Sequence, residues 1–252
     1  MTDDAAIPPR PLPVAAFFDI DKTLVNGASM LFLARAARSL GIVQWRDLAR
    51  FGWKAVSFRR HGEQQSVLDE VRERGMRLLA GHPADRLHSV AQQVVSRMQP
   101  RIWPETRALL QAHLDAGHEV HLISATPDFL AQELARSLGA TTGIGSGLEI
   151  VDGVFTGRFI SGTMHGPEKA RAAERLMRER GFDPADCYAY SDSSNDLPLL
   201  TAVGTPVVVN PDHALERHAR SAGWRVLALD PASIRAERRR VRAAARGARA
   251  AG

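Results

Sequence analysis

Residues 14–20 (VAAFFDI) form an apolar run interrupted only by the acid Asp19 near its end, and a second acid, Asp21, follows directly. A short run without polar alternation is what a strand needs when helices cover both of its faces, as in a parallel sheet. Residues 118–124 (HEVHLIS), 186–191 (DCYAYS) and 206–210 (PVVVN) have the same character, and 224–229 (WRVLAL) is a fifth such segment. Helical patterns lie between them at 105–116, 128–138 and 168–180, the last opened by Pro167 at a helix-start position. This alternation of strand and helix predicts an α/β fold built on a doubly wound parallel sheet.

The interval 27–99 breaks the alternation, since no segment in it reads as a strand. Trp45, Leu48, Ala49, Gly52, Trp53 and Val56 recur at helical spacing while Arg46, Arg50 and Lys54 project elsewhere. We read it as a helical cap inserted after the first strand, with Pro100 and Pro104 marking the return to the main domain. The expected organisation is a flexible leader at 1–13, a catalytic core at 14–26 and 100–232, the cap at 27–99, and a basic tail at 233–252. A second, shorter insert at 147–159 (GLEIVDGVFTGRF) carries Asp152-Gly153 between two apolar arms, which is a hairpin signal. The glycine-rich 143–147 (GIGSG) lacks the third glycine of a dinucleotide loop and reads as a plain turn.

Composition narrows the function classes. The chain has 252 residues, 44% hydrophobic and 24% charged, which suits a folded core of this size. Its one cysteine, Cys187, leaves no intrachain disulfide and no thiolate cluster for a metal, as expected in a reducing compartment. The N-terminus has no apolar region behind a basic start, and no window approaches the length of a membrane span, so a cytoplasmic location is expected. The net charge of +5 is concentrated at the C-terminus, where residues 234–252 carry seven arginines and the single acid Glu237. With the remainder close to neutral, no nucleic-acid partner is expected. The tail reads as a solvated terminal helix, the alternative being a surface-binding appendage.

The residues that carry chemistry fall at strand ends and helix starts. Asp19 and Asp21 close the first strand and Thr23 follows them. Ser124 closes the second apolar run, Lys169 opens a helix, and residues 190–196 (YSDSSND) close another strand. In an open α/β sheet, ligands collect beyond the carboxyl ends of the strands, so these distant residues converge on one crevice. Acids at i and i+2 share one side of an extended chain, and placing them together near a buried strand end is costly without a cation or a shared proton.

The order DxDxT, Ser, Lys, DxxND resembles the four motifs of haloacid dehalogenase superfamily phosphatases. The closest likeness is to subfamily IB, which includes phosphoserine phosphatase, and it runs from about Val14 to Asp230. The resemblance implies a Rossmann-like core and phosphomonoester hydrolysis, with Asp19 as a nucleophile that is transiently phosphorylated and Asp21 as general acid and base. It implies Mg²⁺ held by the Asp19 side chain, the Asp21 main-chain carbonyl and the Asp192 carboxylate. Ser124 and Lys169 would hold phosphoryl oxygens, Thr23 and Ala125 would support phosphate binding, and Asn195 and Asp196 would support the metal and the lysine. A phosphomonoester dianion with Asp19, Asp192 and Asp196 brings about five negative charges against about three positive from Mg²⁺ and Lys169. At an effective dielectric near 20 each unlike pair at about 4 Å is worth about 4 kcal/mol, so both cations are needed.

Departures from the family pattern bear on the substrate, which is expected to be a small phosphomonoester. Phosphoserine phosphatases carry an acid nine positions after the nucleophile to recognise the amino group, and here that position is Ala28. SATP (124–127) replaces the usual SGG, and YSDSSND replaces the glycine-rich GDGxND. Met30, Phe32, Trp45, Trp53 and Phe58 would suit a lipid-like or choline-like phosphate if they line the site, or else they form the cap's own core. Phosphoryl transfer to another alcohol uses the same residues. A non-catalytic binding module on a hydrolase fold is the remaining class, and the presence of Asp19, Asp21, Lys169 and Asp192 together argues against it.

Overall fold

A computed structural model of the chain describes residues 13–39, 41, 76–77, 80–160 and 162–250. Six strands form a wholly parallel sheet: β1 (Ala15–Phe18), β2 (Glu119–Pro127), β3 (Thr142–Ser146), β6 (Tyr188–Ser191), β7 (Thr205–Val209) and β8 (Arg225–Leu227). Their spatial order is β3-β2-β1-β6-β7-β8, so the winding reverses between β1 and β6, where an open α/β sheet forms its ligand crevice. The expected α/β doubly wound sheet is present. Helices α3 (Pro104–Asp115), α4 (Asp128–Leu138), α5 (Pro167–Arg180), α6 (Leu197–Thr201) and α7 (His213–Ala222) connect the strands.

The unbroken apolar run of β1 follows from this layering. Phe18 points into one core layer with Leu122, Leu130 and Leu134, and Phe17 into the other with Ile123, Ala173 and Leu199, each fully buried. At about 25 cal/mol per Å² of apolar surface, burying a phenylalanine side chain is worth roughly 2–3 kcal/mol, so both faces of β1 anchor the sheet.

One segment overturns its reading. Of GIGSG (143–147), read as a turn, residues 143–146 belong to edge strand β3 (Thr142–Ser146) beside β2. The glycines are there because α4 lies against the strand. A Cβ on Gly143 would sit 2.1 Å from the Ala131 carbonyl oxygen, and one on Gly145 would sit 2.6 Å from the Thr126 carbonyl oxygen.

The expected hairpin forms as β4 (Leu148–Val151) and β5 (Val154–Phe159), with Asp152 and Gly153 both at positive φ in the turn. Residues 81–84 pair with its outer edge. Gly81 N–H donates to the Phe155 carbonyl at 2.8 Å, Phe155 N–H to His82 at 3.0 Å, and Ala84 N–H to Gly153 at 2.9 Å.

Within the interval assigned to the cap, α1 (Ser29–Ser39) and α2 (Ala84–Met98) pack on each other and on the first core layer. Phe32 is buried in that layer and Met30 packs against it; Trp45, Trp53 and Phe58 lie outside the described residues. The basic tail forms helix α8 (Pro231–Ala250), which docks through buried Ile234 and a Ser233 hydroxyl that donates to Glu105 at 3.2 Å. Arg235, Arg238, Arg239 and Arg242 are exposed.

Two buried histidines sit outside the crevice. Burial, with His118 adding, pushes His113 down to about 4, and its Nε2 lies 2.9 Å from the Tyr190 hydroxyl. Burial, with Arg180 adding, pushes His121 down to about 4. Glu119 is 3.4 Å from His121 Nε2, yet among the described residues neither ring nitrogen has a hydrogen-bond partner, which fits a neutral ring. A histidine whose folded pKa lies below its unfolded 6.5 contributes stability above pH 6.5 that is lost as pH falls toward 4. In urea melts at pH 7.5 and 5, the wild type is expected to lose about 2 kcal/mol more than His121→Gln. Equal losses would show that the ring charges freely in the folded state.

Candidate active site

Asp19 directly follows β1, where its N–H donates to the Tyr190 carbonyl of β6 at 3.0 Å and ties the two central strands together. The residue is only 5% exposed. Lys169 lies in the first turn of α5 and is equally buried. Its Nζ donates to Asp19 Oδ1 at 2.6 Å and to Asp196 Oδ2 at 2.7 Å. Asp196 closes the 3₁₀ turn Ser194–Asp196 that follows β6, and its Oδ2 also accepts from the Ser191 hydroxyl at 2.7 Å. Asp192, one residue beyond β6, accepts from the Thr23 hydroxyl at 3.2 Å and has the largely exposed Lys22 Nζ 3.8 Å away.

The chain leaves extended geometry earlier than expected. β1 ends at Phe18, and Lys22, at φ 64°, turns the backbone so that its N–H reaches the Val25 carbonyl at 2.8 Å. The picture of Asp19 and Asp21 side by side on an extended chain therefore gives way to a turn. Asp21 is held at the start of α1, where Oδ1 accepts from the Ser29 N–H at 2.8 Å and Oδ2 from the Ser29 hydroxyl at 3.0 Å.

Ser124 and Ala125 stand near the carboxyl end of β2, beyond Leu122, which is the register partner of Phe18. The Ser124 hydroxyl accepts from Thr126 N–H at 3.2 Å. The Ser146 hydroxyl donates to the Ala125 carbonyl at 3.0 Å and accepts from Met164 N–H at 2.9 Å, fixing this backbone to the loop before α5. Asn195 is half-buried in the turn beside Asp196, its N–H donating to the Ser193 hydroxyl at 3.3 Å. Asp19, Lys169 and Asp196 are thus in direct contact, and Asp192 stands with Thr23 and Lys22. Ser124, Ala125 and Asn195 belong to the same end of the sheet, whereas Asp21 engages α1.

Three serines that shape this site were not found from the sequence: Ser29, Ser146 and Ser191. Each acts through a hydroxyl on a partner that no local pattern names: Ser29 on Asp21, Ser146 on the Ala125 carbonyl and Ser191 on Asp196. Only Ser191 left a trace, as a departure from the glycine-rich form of its motif.

The cluster is short of positive charge. Burial, reinforced by Asp196, Asp192 and Asp21 and opposed by Lys169, pushes Asp19 up to about 7. Burial likewise pushes Asp192 up to about 6, against the pull of Lys22 and Lys169. Burial alone would lower Lys169, but Asp19 and Asp196 outweigh it and hold the ammonium charged. Among the described residues three buried carboxylates face one buried cation, and Asp196 Oδ1 is buried with no hydrogen-bond partner. The available donors are oxygens, which fits a hard divalent cation such as Mg²⁺. Among the described residues no group of three or more His, Cys, Asp or Glu side chains is gathered to close on an ion.

Comparison with known proteins agrees with this geometry. The family model for haloacid dehalogenase-like hydrolases matches residues 16–201. Phosphoserine phosphatase SerB1 of Mycobacterium tuberculosis is 39% identical over 221 residues, covering 87% of this chain and 72% of that protein. A histidinol-phosphatase of Neisseria meningitidis is 33% identical over 218 residues, covering 84% of this chain and 97% of that protein. The crystal structure of a Bordetella pertussis protein of unknown function superposes with a TM-score of 0.75 at 28% identity, covering 87% of this chain and 100% of the other. No helix among the described residues is long and apolar enough to cross a membrane. With its motifs at the ends of the expected strands and a family match over most of its length, the chain belongs to the haloacid dehalogenase-like hydrolases, as an enzyme of the phosphatase group that resembles phosphoserine phosphatase.

Proposed function

We propose that the enzyme is a Mg²⁺-dependent phosphomonoester hydrolase that acts on a small phosphorylated metabolite through an aspartyl-phosphate on Asp19. The observation that carries this reading is the buried Asp19–Lys169–Asp196 contact at the β1/β6 switch, set among more carboxylates than cations. Asp19 attacks phosphorus, forming a P–O bond to its carboxylate and breaking the ester P–O bond. Asp21 gives its proton to the leaving alkoxide, then takes one from the water that attacks the acyl phosphate, which restores the Asp19 carboxylate and releases phosphate. To do so it exchanges its contact with Ser29 for the leaving oxygen. Lys169 neutralises the transferring group, and Ser124 with the Ala125 backbone orients it. The Asp19 side chain, the Asp21 carbonyl and the Asp192 carboxylate would hold Mg²⁺, which would supply the positive charge that lets a dianionic ester approach a carboxylate.

The relatives' names direct the choice of substrates to phosphoserine and histidinol phosphate, both small amino-bearing phosphomonoesters. With Ala28 in place of an acid, the amino group must be recognised by other means or the preferred ester differs. A lone buried Cys187 suits the cytoplasm. The direct test is phosphate release from phosphoserine, histidinol phosphate, glycerol phosphate, phosphocholine and a lysophospholipid, with and without Mg²⁺. Turnover that needs no metal, or none on any ester, would overturn the reading.

Mg²⁺ should also be visible in stability. Because the folded pKa of Asp19 is raised, ionising it costs stability as pH climbs from its unfolded value near 3.8 through about 7. A bound cation favours the ionised form and removes that cost. At pH 8, saturating Mg²⁺ at about 100 times its dissociation constant should stabilise by about 2.7 kcal/mol and raise Tm by roughly 5–10 °C. The gain at pH 5 should be clearly smaller. Equal Tm with EDTA and with Mg²⁺ at pH 8 would count against a metal at this site.

A further inference from the structure

We propose that Ser191 is a positioning residue for phosphoryl transfer, its hydroxyl fixing the Asp196 carboxylate that aims Lys169 at Asp19. This rests on the hydrolytic reading above. Ser191 is the last residue of β6 and fully buried, at a position the glycine-rich form of the motif leaves without a side chain. Its hydroxyl oxygen accepts from Ser193 N–H at 3.2 Å, which leaves its proton for Asp196 Oδ2 at 2.7 Å. The same Oδ2 receives Lys169 Nζ at 2.7 Å, and Nζ reaches Asp19 Oδ1 at 2.6 Å. Asp19 N–H returns to the Tyr190 carbonyl at 3.0 Å, one residue from Ser191. The chain of contacts closes on itself, running from β6 through Ser191, Asp196, Lys169 and Asp19 and back to β6.

Among the described residues Asp196 has two side-chain partners, Lys169 and Ser191, both on Oδ2, and its Oδ1 has none. Removing the hydroxyl leaves Lys169 alone to orient it, while Lys169 is itself oriented by Asp196. An ammonium has three donors, and with two committed to Asp19 and Asp196 the third is available to a phosphoryl oxygen. The direction of that third donor depends on both carboxylates staying in place. The added serine thus replaces the conformational economy of a glycine loop with a tether that ends on the catalytic lysine.

The test uses Ser191→Ala and Ser191→Gly in the full chain with Mg²⁺ and the best phosphomonoester. Lys169 is expected to matter most as charge gathers on the transferring group. kcat should therefore fall about tenfold in both variants, while KM moves less than about twofold. A residue that only packs would lower Tm and leave kcat per folded molecule within twofold, and that result overturns the proposal. The crystal structure of Ser191→Ala is the second readout, independent of turnover. An Asp196 Oδ2–Lys169 Nζ distance opened beyond about 3.5 Å supports the proposal, and an unchanged contact overturns it. If the wild type hydrolyses no ester, the functional reading fails and this distance alone decides the role of Ser191.

Discussion

Asp19→Asn is expected to abolish turnover, lowering kcat by about 10⁴-fold or more on every ester the wild type accepts. The substitution keeps the shape of the side chain but removes the oxygen nucleophile. Asp196 remains to hold Lys169, so the fold should survive. It also removes a carboxylate whose burial raises its pKa to about 7, so above that pH the metal-free variant should melt no lower than the wild type. Its Mg²⁺-induced rise in Tm should shrink, because one carboxylate ligand is gone. Phosphate release under single-turnover conditions measures the first effect and thermal melts with and without Mg²⁺ the second. A rate within tenfold of wild type would remove Asp19 from the chemistry.

Lys169→Met should damage both activity and stability, and the second effect should depend on pH. Methionine fills a similar volume but leaves Asp19 and Asp196 buried with no cation in contact. Breaking a buried pair in this way costs roughly 3–5 kcal/mol. Asp19 can escape that cost only by binding a proton. Removing the lysine pushes the folded pKa of Asp19 further up, so the folded state holds its proton to higher pH than the unfolded state. Stability should then recover as pH falls and be lost as pH rises. Denaturant melts at pH 8 and 5.5 should show the deficit mainly at pH 8, with kcat down by about 10³-fold or more. The same deficit at both values would mean that the ammonium does not compensate these acids.

The sheet and the main cluster could be read from the sequence because they rest on patterns that do not depend on distant partners. An apolar run with both faces buried, as in β1, announces a parallel strand; Asp19, Asp192 and Asp196 announce themselves by standing at or just beyond the ends of such runs, and Lys169 by opening a helix behind Pro167. β3 was invisible because α4 presses against it and selects glycine, the residue that otherwise marks a turn. Asp21 was placed on an extended chain because spacing alone does not encode the turn at Lys22. The three serines were missed for a different reason. A hydroxyl's value depends on where its partner lies: Ser146 reaches a carbonyl 21 residues away, and nothing local distinguishes it from a solvated serine.

The pairing of residues 81–84 with β5 ties together two excursions that leave the core at different points in the chain. One lies between Asp21 and the return at Pro100; the other sits between β3 and the helix that carries Lys169. Gly157, against Ala80 and the Arg77 backbone, marks how closely they are fitted, since even a Cβ there would come within 3.0 Å of Ala80. Exchanging one excursion for that of another protein should therefore require exchanging its companion too. A chimera that grafts a foreign segment 27–99 onto this core should misassemble until the hairpin 147–159 is brought along from the same donor.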